Sequence, residues 1–110
     1  MNKLEERLER LEYHQKLLLK MVQAPDYSFY RLVIEKNLTE QEVEEFLSLC
    51  SRLNMEFKKE KEEHFVFYAP LFQDFKKQLN IRLQPKEVIE ACMKQKMYPE
   101  LMEALQKNLL

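Results

Sequence analysis

The absence of glycine constrains this chain more than any other feature of its sequence. None of the 110 residues is glycine, whereas average usage of about 7% would give roughly eight. Glycine supplies the positive φ angles of phosphate-binding loops and tight hairpin turns. Nucleotide binding through Walker or Rossmann loops is therefore excluded, and an all-β fold is disfavoured. The sequence predicts an all-α protein.

Prolines and a capping box mark the starts of four predicted helices. Pro70, Pro85 and Pro99 each stand where a helix can begin, because proline has a preset φ angle and lacks an N–H that the first turn does not use. The segment Thr39-Glu40-Gln41-Glu42 has the pattern of a capping box, in which a hydroxyl and a carboxylate each satisfy a free backbone N–H. Apolar residues recur at helical spacing after each start, which predicts four inward faces.

Two further helices are predicted before the capping box. The first covers about residues 2–23 and ends before Pro25, because proline breaks the hydrogen-bond ladder. The second covers about residues 27–36, with Asp26 as its N-cap and Asn37 as a left-handed residue beyond its end. We therefore expect a bundle of about six helices.

The first predicted helix carries an apolar stripe, and neighbouring residues in the sequence cannot bury it. With Met1 at heptad position a, the d and a positions fall on Leu4, Leu8, Leu11, Gln15, Leu18 and Val22. Residues 1–23 are therefore predicted to be a coiled-coil-like oligomerisation helix. Residues 26–110 are predicted to form a helical body, with the whole chain, 1–110, as a single helical domain.

Charged residues beside this stripe favour a parallel assembly. Arg7 at position g faces Glu12 at position e of the next chain when the helices are parallel, whereas an antiparallel pairing sets like charges together. The third heptad widens, with Leu19 at position e, Met21 at position g and Leu17 also apolar. This surface exceeds a two-stranded seam, so a trimer is favoured over a dimer unless the body clasps this end of the helix. The alternative is a helix that folds back into a monomeric bundle.

The cysteines and histidines show no pattern typical of a catalytic or metal site. Cys50 and Cys92 lie on the apolar stripes of different helices, without disulfide or zinc spacing, and are predicted to be buried and unpaired. His14 is predicted to flank the stripe of the first helix, and His64 to cap the third. We expect no catalytic residue, no cofactor and no metal site, and thus not an enzyme.

Four segments resemble a known family. RLERLEY, FYRLVIEKNLTEQE, HFVFY and QKMYPELM are similar to the YhaI-like proteins of Bacillus and its relatives, an uncharacterised all-helical family, and the similarity covers nearly the whole chain. The resemblance implies a small helical bundle that self-associates, with a trimer as the suggested state. It also implies helix ends at Asn37, His64 and Lys96, where the family pattern has glycine. It supplies no functional residues.

Charge and hydropathy bear on compartment and partners. No secretion signal and no stretch of about 18 apolar residues is present, which predicts a cytoplasmic protein without membrane association. Residues 35–63 carry nine acidic and five basic side chains, so a recognition helix there would be repelled by phosphates and no nucleic-acid partner is expected. We expect a protein that acts through self-association and through an unidentified protein partner. The alternative is a small helical DNA-binding or stress-related regulator.

Overall fold

The computed structural model describes residues 2–23, 26–64 and 66–109, and within these it contains six helices and no strand. Met1 and Pro25, on which two of the predictions above rest, lie outside the described residues. The expected all-α fold with six helices is confirmed. The helices are α1 (Lys3–Gln23), α2 (Ser28–Glu35), α3 (Glu40–Glu62), α4 (Tyr68–Gln78), α5 (Pro85–Lys94) and α6 (Pro99–Gln106).

Local sequence signals explain how three of the helices begin. The hydroxyl of Thr39 accepts a hydrogen bond from the backbone N–H of Glu42 at 3.1 Å, and the Glu42 carboxylate accepts one from the Thr39 N–H at 3.0 Å. Both halves of the predicted capping box are therefore present. Pro85 and Pro99 occupy the first helical positions of α5 and α6, as expected.

Pro70 lies in the first turn of α4, as expected, but the helix boundary is two residues before it. The helix begins at Tyr68, so Pro70 is its third residue and not its first. A proline is compatible with that position because the N–H groups of the first helical turn have no partner within the helix. Pro70 thus marks the first turn of α4 without marking its boundary.

The predicted N-cap of α2 is wrong. The cap position is held by Tyr27, not Asp26, and no side chain there caps the helix. Instead, the side-chain oxygen of Gln95 accepts hydrogen bonds from the backbone N–H groups of Phe29 at 2.8 Å and Tyr30 at 3.1 Å. Gln95 lies at the end of α5, which packs on α2. A residue distant in sequence thus caps α2, where a neighbouring aspartate caps many other helices.

Left-handed residues end several helices in place of glycine. The φ angles of Asn37, His64 and Lys96 are 58°, 64° and 61°. These left-handed conformations confirm the helix ends that the resemblance implies at the three positions. The prediction for His64 needs one correction, because its exposed side chain is not the capping group. Its backbone N–H donates to the Lys61 carbonyl oxygen at 3.1 Å, so the conformation of the main chain closes α3.

One cluster of buried apolar side chains takes members from all six helices. At its centre the ring of Phe46 on α3 stacks on Phe29 of α2, with 5.2 Å between ring centroids. The same ring meets the edge of Phe75 on α4 at 6.3 Å. These aromatic contacts join α2 and α4 to α3 within the core.

Candidate functional site

The C-terminal half of α1 packs against the rest of the molecule, residues 26–109, which we call the body. Leu17 belongs to the core cluster and is 3% exposed, and Tyr13, one turn earlier, is half-buried against the same cluster. Met21, one turn later, is also half-buried. The spacing of four residues puts these side chains on one side of the helix. This side, with His14, is the docked face of α1.

His14 is the polar contact in the docked face. Its side chain is 7% exposed, and its Nε2 lies 2.8 Å from the carbonyl oxygen of Leu38, in the turn between α2 and α3. A carbonyl oxygen can only accept, so Nε2 carries the hydrogen and donates it. The prediction that His14 flanks the exposed stripe is therefore wrong. The turn of the helix places it with Leu17, three residues on, toward the body.

The turn that accepts this hydrogen bond is itself held from the other side. The guanidinium of Arg82 donates to the carbonyl oxygen of Asn37 at 3.1 Å and pairs with the carboxylate of Glu42. Leu38, between these contacts, is fully buried. The acceptor of His14 thus sits in a segment fixed by the body.

An acidic surface lies beside the docked face. Burial, together with the charges of Glu40, Tyr30 and Glu44, raises the pKa of Tyr13 to about 12. Its hydroxyl therefore stays neutral at physiological pH. The groove between α1 and the start of α3 is lined by Glu6, Glu9, Arg10, Thr39, Glu40, Gln41 and Glu44.

The opposite situation holds on a second side of α1, which we call the leucine face. Its large apolar side chains are between 49 and 85% exposed, and they make up six of the nine exposed large apolar side chains in the described residues. At 100° per residue, the leucine face points roughly 130° away from the docked face. Its members are Leu4, Leu8, Leu11, Leu18, Leu19 and Val22.

The remaining residues of the predicted interface lie where the heptad pattern places them. Gln15 is exposed within the stripe, and Arg7 and Glu12 are exposed on its two flanks. In the part of the chain that the structure describes, neither of these two charged residues forms an ion pair. A single chain does not test whether a second copy covers the leucine face, so self-association stays a prediction.

The structure does bear on the width of the stripe. Leu17 is buried in the core cluster and Tyr13 packs against it, so some of the apolar surface in the second half of α1 is used within the chain. The sequence left open whether the body packs against this end of α1, and the burial of Leu17 shows that it does. The repeat of Tyr13, Leu17 and Met21 at intervals of four residues was the signal that could have found the docked face.

Both cysteines are buried in the core as free thiols, as predicted. Burial raises the pKa of Cys50 to about 12. Burial, with the neighbouring Cys50 as a smaller cause, also raises the pKa of Cys92. A thiol is nucleophilic as its thiolate, so neither side chain is prepared for reaction in the native fold.

Within residues 2–23, 26–64 and 66–109, no three His, Cys, Asp or Glu side chains are grouped so that they could hold a metal ion. None of the helices in these ranges combines the length and the apolar character that crossing a membrane requires.

Comparison with known families covers the entire chain. The family model described as "Protein of unknown function (DUF1878)" matches residues 1–110. This match includes α1 with its two faces as well as the body. The chain therefore belongs to the DUF1878 family.

Proposed function

We propose that this protein self-associates through the leucine face of α1 and acts in the cytoplasm as a module for protein–protein interaction, without catalytic activity. Its first partner is a second copy of the same chain, arranged in parallel, with a trimer favoured over a dimer. The assembly then presents the bodies to a further protein partner.

The observation that carries this proposal is the concentration of exposed apolar side chains on one helix face. Monomeric soluble proteins rarely expose large contiguous apolar patches, and such patches are typical of interaction surfaces. Six of the nine exposed large apolar side chains of the described residues lie here. Fully burying a leucine side chain stabilises by about 1.5–3 kcal/mol, so this face can drive association.

Charge complementarity supports a second copy of the chain as the partner that covers the leucine face. The heptad pattern places Arg7 and Glu12 on opposite flanks of the leucine face, and both are exposed. In a parallel assembly each arginine faces a glutamate of the neighbouring chain. The pattern of charge thus matches the pattern of apolar residues, and both fit a copy of α1.

The proposed number of chains rests on the width of the leucine face. Leu19 lies outside the d and a positions and is 62% exposed, so a two-stranded seam would leave it uncovered. Leu17 does not add to this argument because it is buried in the core cluster, and Met21 adds little because its side chain is half-buried. The exposed leucine beside the seam supports three strands over two.

Other features support a binding role over chemistry or DNA recognition. The buried thiols of Cys50 and Cys92 have raised pKa values, and the ring of His14 is engaged with a backbone carbonyl. The groove beside α3 is rich in carboxylates, which repel phosphates. Free, buried cysteines also suit a reducing compartment.

Light scattering coupled to gel filtration tests the proposal directly. We expect the wild-type protein at micromolar concentration to have a mass of about 40 kDa, three times the 13.5 kDa of one chain. Leu11→Glu places a charge in the middle of the leucine face and should give a monomer that keeps its helical circular dichroism. Lys16→Glu, an exposed change on the same helix outside that face, is the matched control and should leave the mass unchanged.

A wild-type protein that is monomeric at this concentration would overturn self-association. A dimer of about 27 kDa, twice the mass of one chain, would leave self-association standing and overturn the trimer.

A further inference from the structure

α1 has two faces that could each pack against the body, and only one of them does. The body contacts the C-terminal half of the helix, where Leu17 lies in the core cluster and Tyr13 packs against it, with half-buried Met21 on the same side of the helix. In the same half the leucine face offers Leu18 and Val22, with Leu19 beside them. Each side thus has three apolar side chains in this half, so the number of apolar residues alone does not decide which face docks.

The difference between the two faces is a hydrogen bond. Among the residues that the structure describes, His14 is the one buried residue with a polar or charged side chain. Its Nε2–H points at the Leu38 carbonyl oxygen, 2.8 Å away and 24 residues along the chain. The leucine face has no donor at the equivalent depth, since Gln15, the polar residue of the heptad stripe beside it, is exposed.

A roll of α1 that exchanged the faces would break this bond. Turning the helix by about 130° would carry the ring of His14 roughly 10 Å around the helix axis. The carbonyl of Leu38 is in a fully buried residue of a turn that Arg82 and Glu42 hold in place, so it could not follow. It would lose its donor, and an unsatisfied buried acceptor is strongly disfavoured.

We propose that His14 is a positioning residue that selects the docked face of α1 and thereby keeps the leucine face free for a second copy. The inference rests on the proposed self-association and deepens it, because it names the side chain that orients the helix for assembly. His14 itself does not contact the neighbouring copy. It acts through the rotation of α1 on the body.

Disulfide cross-linking between copies measures this orientation. A Leu11→Cys probe places a thiol in the centre of the leucine face, and oxidised glutathione links two such thiols when copies of α1 are side by side. Native Cys50 and Cys92 are buried and do not compete. We expect micromolar Leu11→Cys protein to cross-link, and His14→Leu in the same background to lower the yield at least about tenfold, since the buried acceptor is then unpaired.

Two matched variants separate the hydrogen bond from general packing. His14→Gln retains an N–H donor at a comparable distance from the backbone and should restore cross-linking to within about twofold of the parent. Tyr13→Phe removes a half-buried hydroxyl from the same docked face and should also leave the yield within about twofold. Should His14→Leu fail to fold by circular dichroism, His14→Asn, whose side chain is too short to reach Leu38, replaces it under the same criteria.

A second probe distinguishes a rolled helix from a loosened one. Leu17→Cys should react slowly with a thiol reagent when His14 is present, because position 17 is buried. In the His14→Leu background a rolled helix makes Leu17→Cys reactive and also abolishes cross-linking through Leu11→Cys, which is the expected result. A loosened helix makes Leu17→Cys reactive while cross-linking persists, and this result would overturn the proposal for His14.

The outcomes separate this inference from the function on which it rests. Equal cross-linking with His14 and with Leu at position 14 would refute face selection by His14 and leave self-association intact. A parent protein that neither cross-links nor exceeds the mass of one chain would instead overturn the proposed function.

Discussion

The body and α1 differ in how far their large apolar side chains are exposed. In the body the large side chains of Phe29, Phe75 and Ile89 are fully buried, and among the body residues that the structure describes, the exposed large apolar ones are the separate positions Met55, Phe67 and Ile81. In α1 one apolar residue is buried in the core, while six form a continuous exposed face. Burial within one chain therefore accounts for the sequence of the body but not for that of α1.

The two regions also differ in how they are tied together. Within the body, the Gln95 side chain binds the start of α2, and Arg82 binds the turn after it. Between α1 and the body, the side chain of His14 makes the corresponding long-range hydrogen bond. The body is held at several points and α1 at few, which lets α1 be oriented by a single side chain.

The largest effect is expected in the body. Phe46→Ala and Phe75→Ala should each lower the free energy of unfolding by about 3–5 kcal/mol, because each leaves a cavity among packed aromatic rings. Urea unfolding followed by circular dichroism measures the change. Ile81→Ala, at a side chain that is 94% exposed, is the control and should cost less than about 0.5 kcal/mol. Losses below about 1 kcal/mol for both phenylalanines would show that the body is not the tightly packed region of the comparison.

An intermediate effect is expected on the leucine face, and it should depend on protein concentration. Leu8→Ala should weaken association by about 1–2 kcal/mol, which raises the dissociation constant roughly 5- to 30-fold. Thermal unfolding at several protein concentrations measures it, since a linked assembly melts at a higher temperature when concentrated. Lys16→Ala, on the polar side of α1, should leave this dependence unchanged. A loss of stability in Leu8→Ala that is the same at every concentration would mean that the leucine face acts inside one chain, and the comparison would fail.

The smallest effect is expected where one helix of the body caps another. Gln95→Ala removes the acceptor of two backbone N–H groups of α2 and should cost about 1 kcal/mol, the typical loss for a helix cap. Chemical denaturation reports the loss. Gln84→Ala provides a close control, because Gln84 is exposed and occupies the N-cap of α5 without a side-chain cap bond. Equal effects of the two changes would indicate that the contact of Gln95 with α2 adds no stability.

Features encoded by neighbouring residues could be predicted from the sequence. The capping box at Thr39 and the proline at the start of α5 depend on a few adjacent side chains, and both were correct. Asp26 failed as a cap because Gln95, from a distant part of the chain, takes that role. A local pattern shows that a donor is free, but it does not show which residue the fold brings to it.

In the candidate site, too, features that depend on neighbouring residues could be predicted, and features that depend on distant residues could not. The heptad pattern found the residues of the leucine face, since periodicity is a local property. It did not find that Leu17 and His14 face the body, because a helix with two apolar sides can dock through either one. The choice depends on Leu38, which meets His14 only when the tertiary fold has formed.

The left-handed turns of this glycine-free chain have a consequence for its evolution. Holding a residue with a Cβ atom in this conformation costs roughly 1–2 kcal/mol. His64 and Lys96 are exposed at such turns, so glycine at either position would remove the steric conflict without disturbing the core. Part of the gain would be lost to the greater freedom of glycine in the unfolded chain. Single substitutions that raise stability are therefore still open to this sequence. A lineage that acquires one of them can tolerate a destabilising change in the surface through which the protein binds.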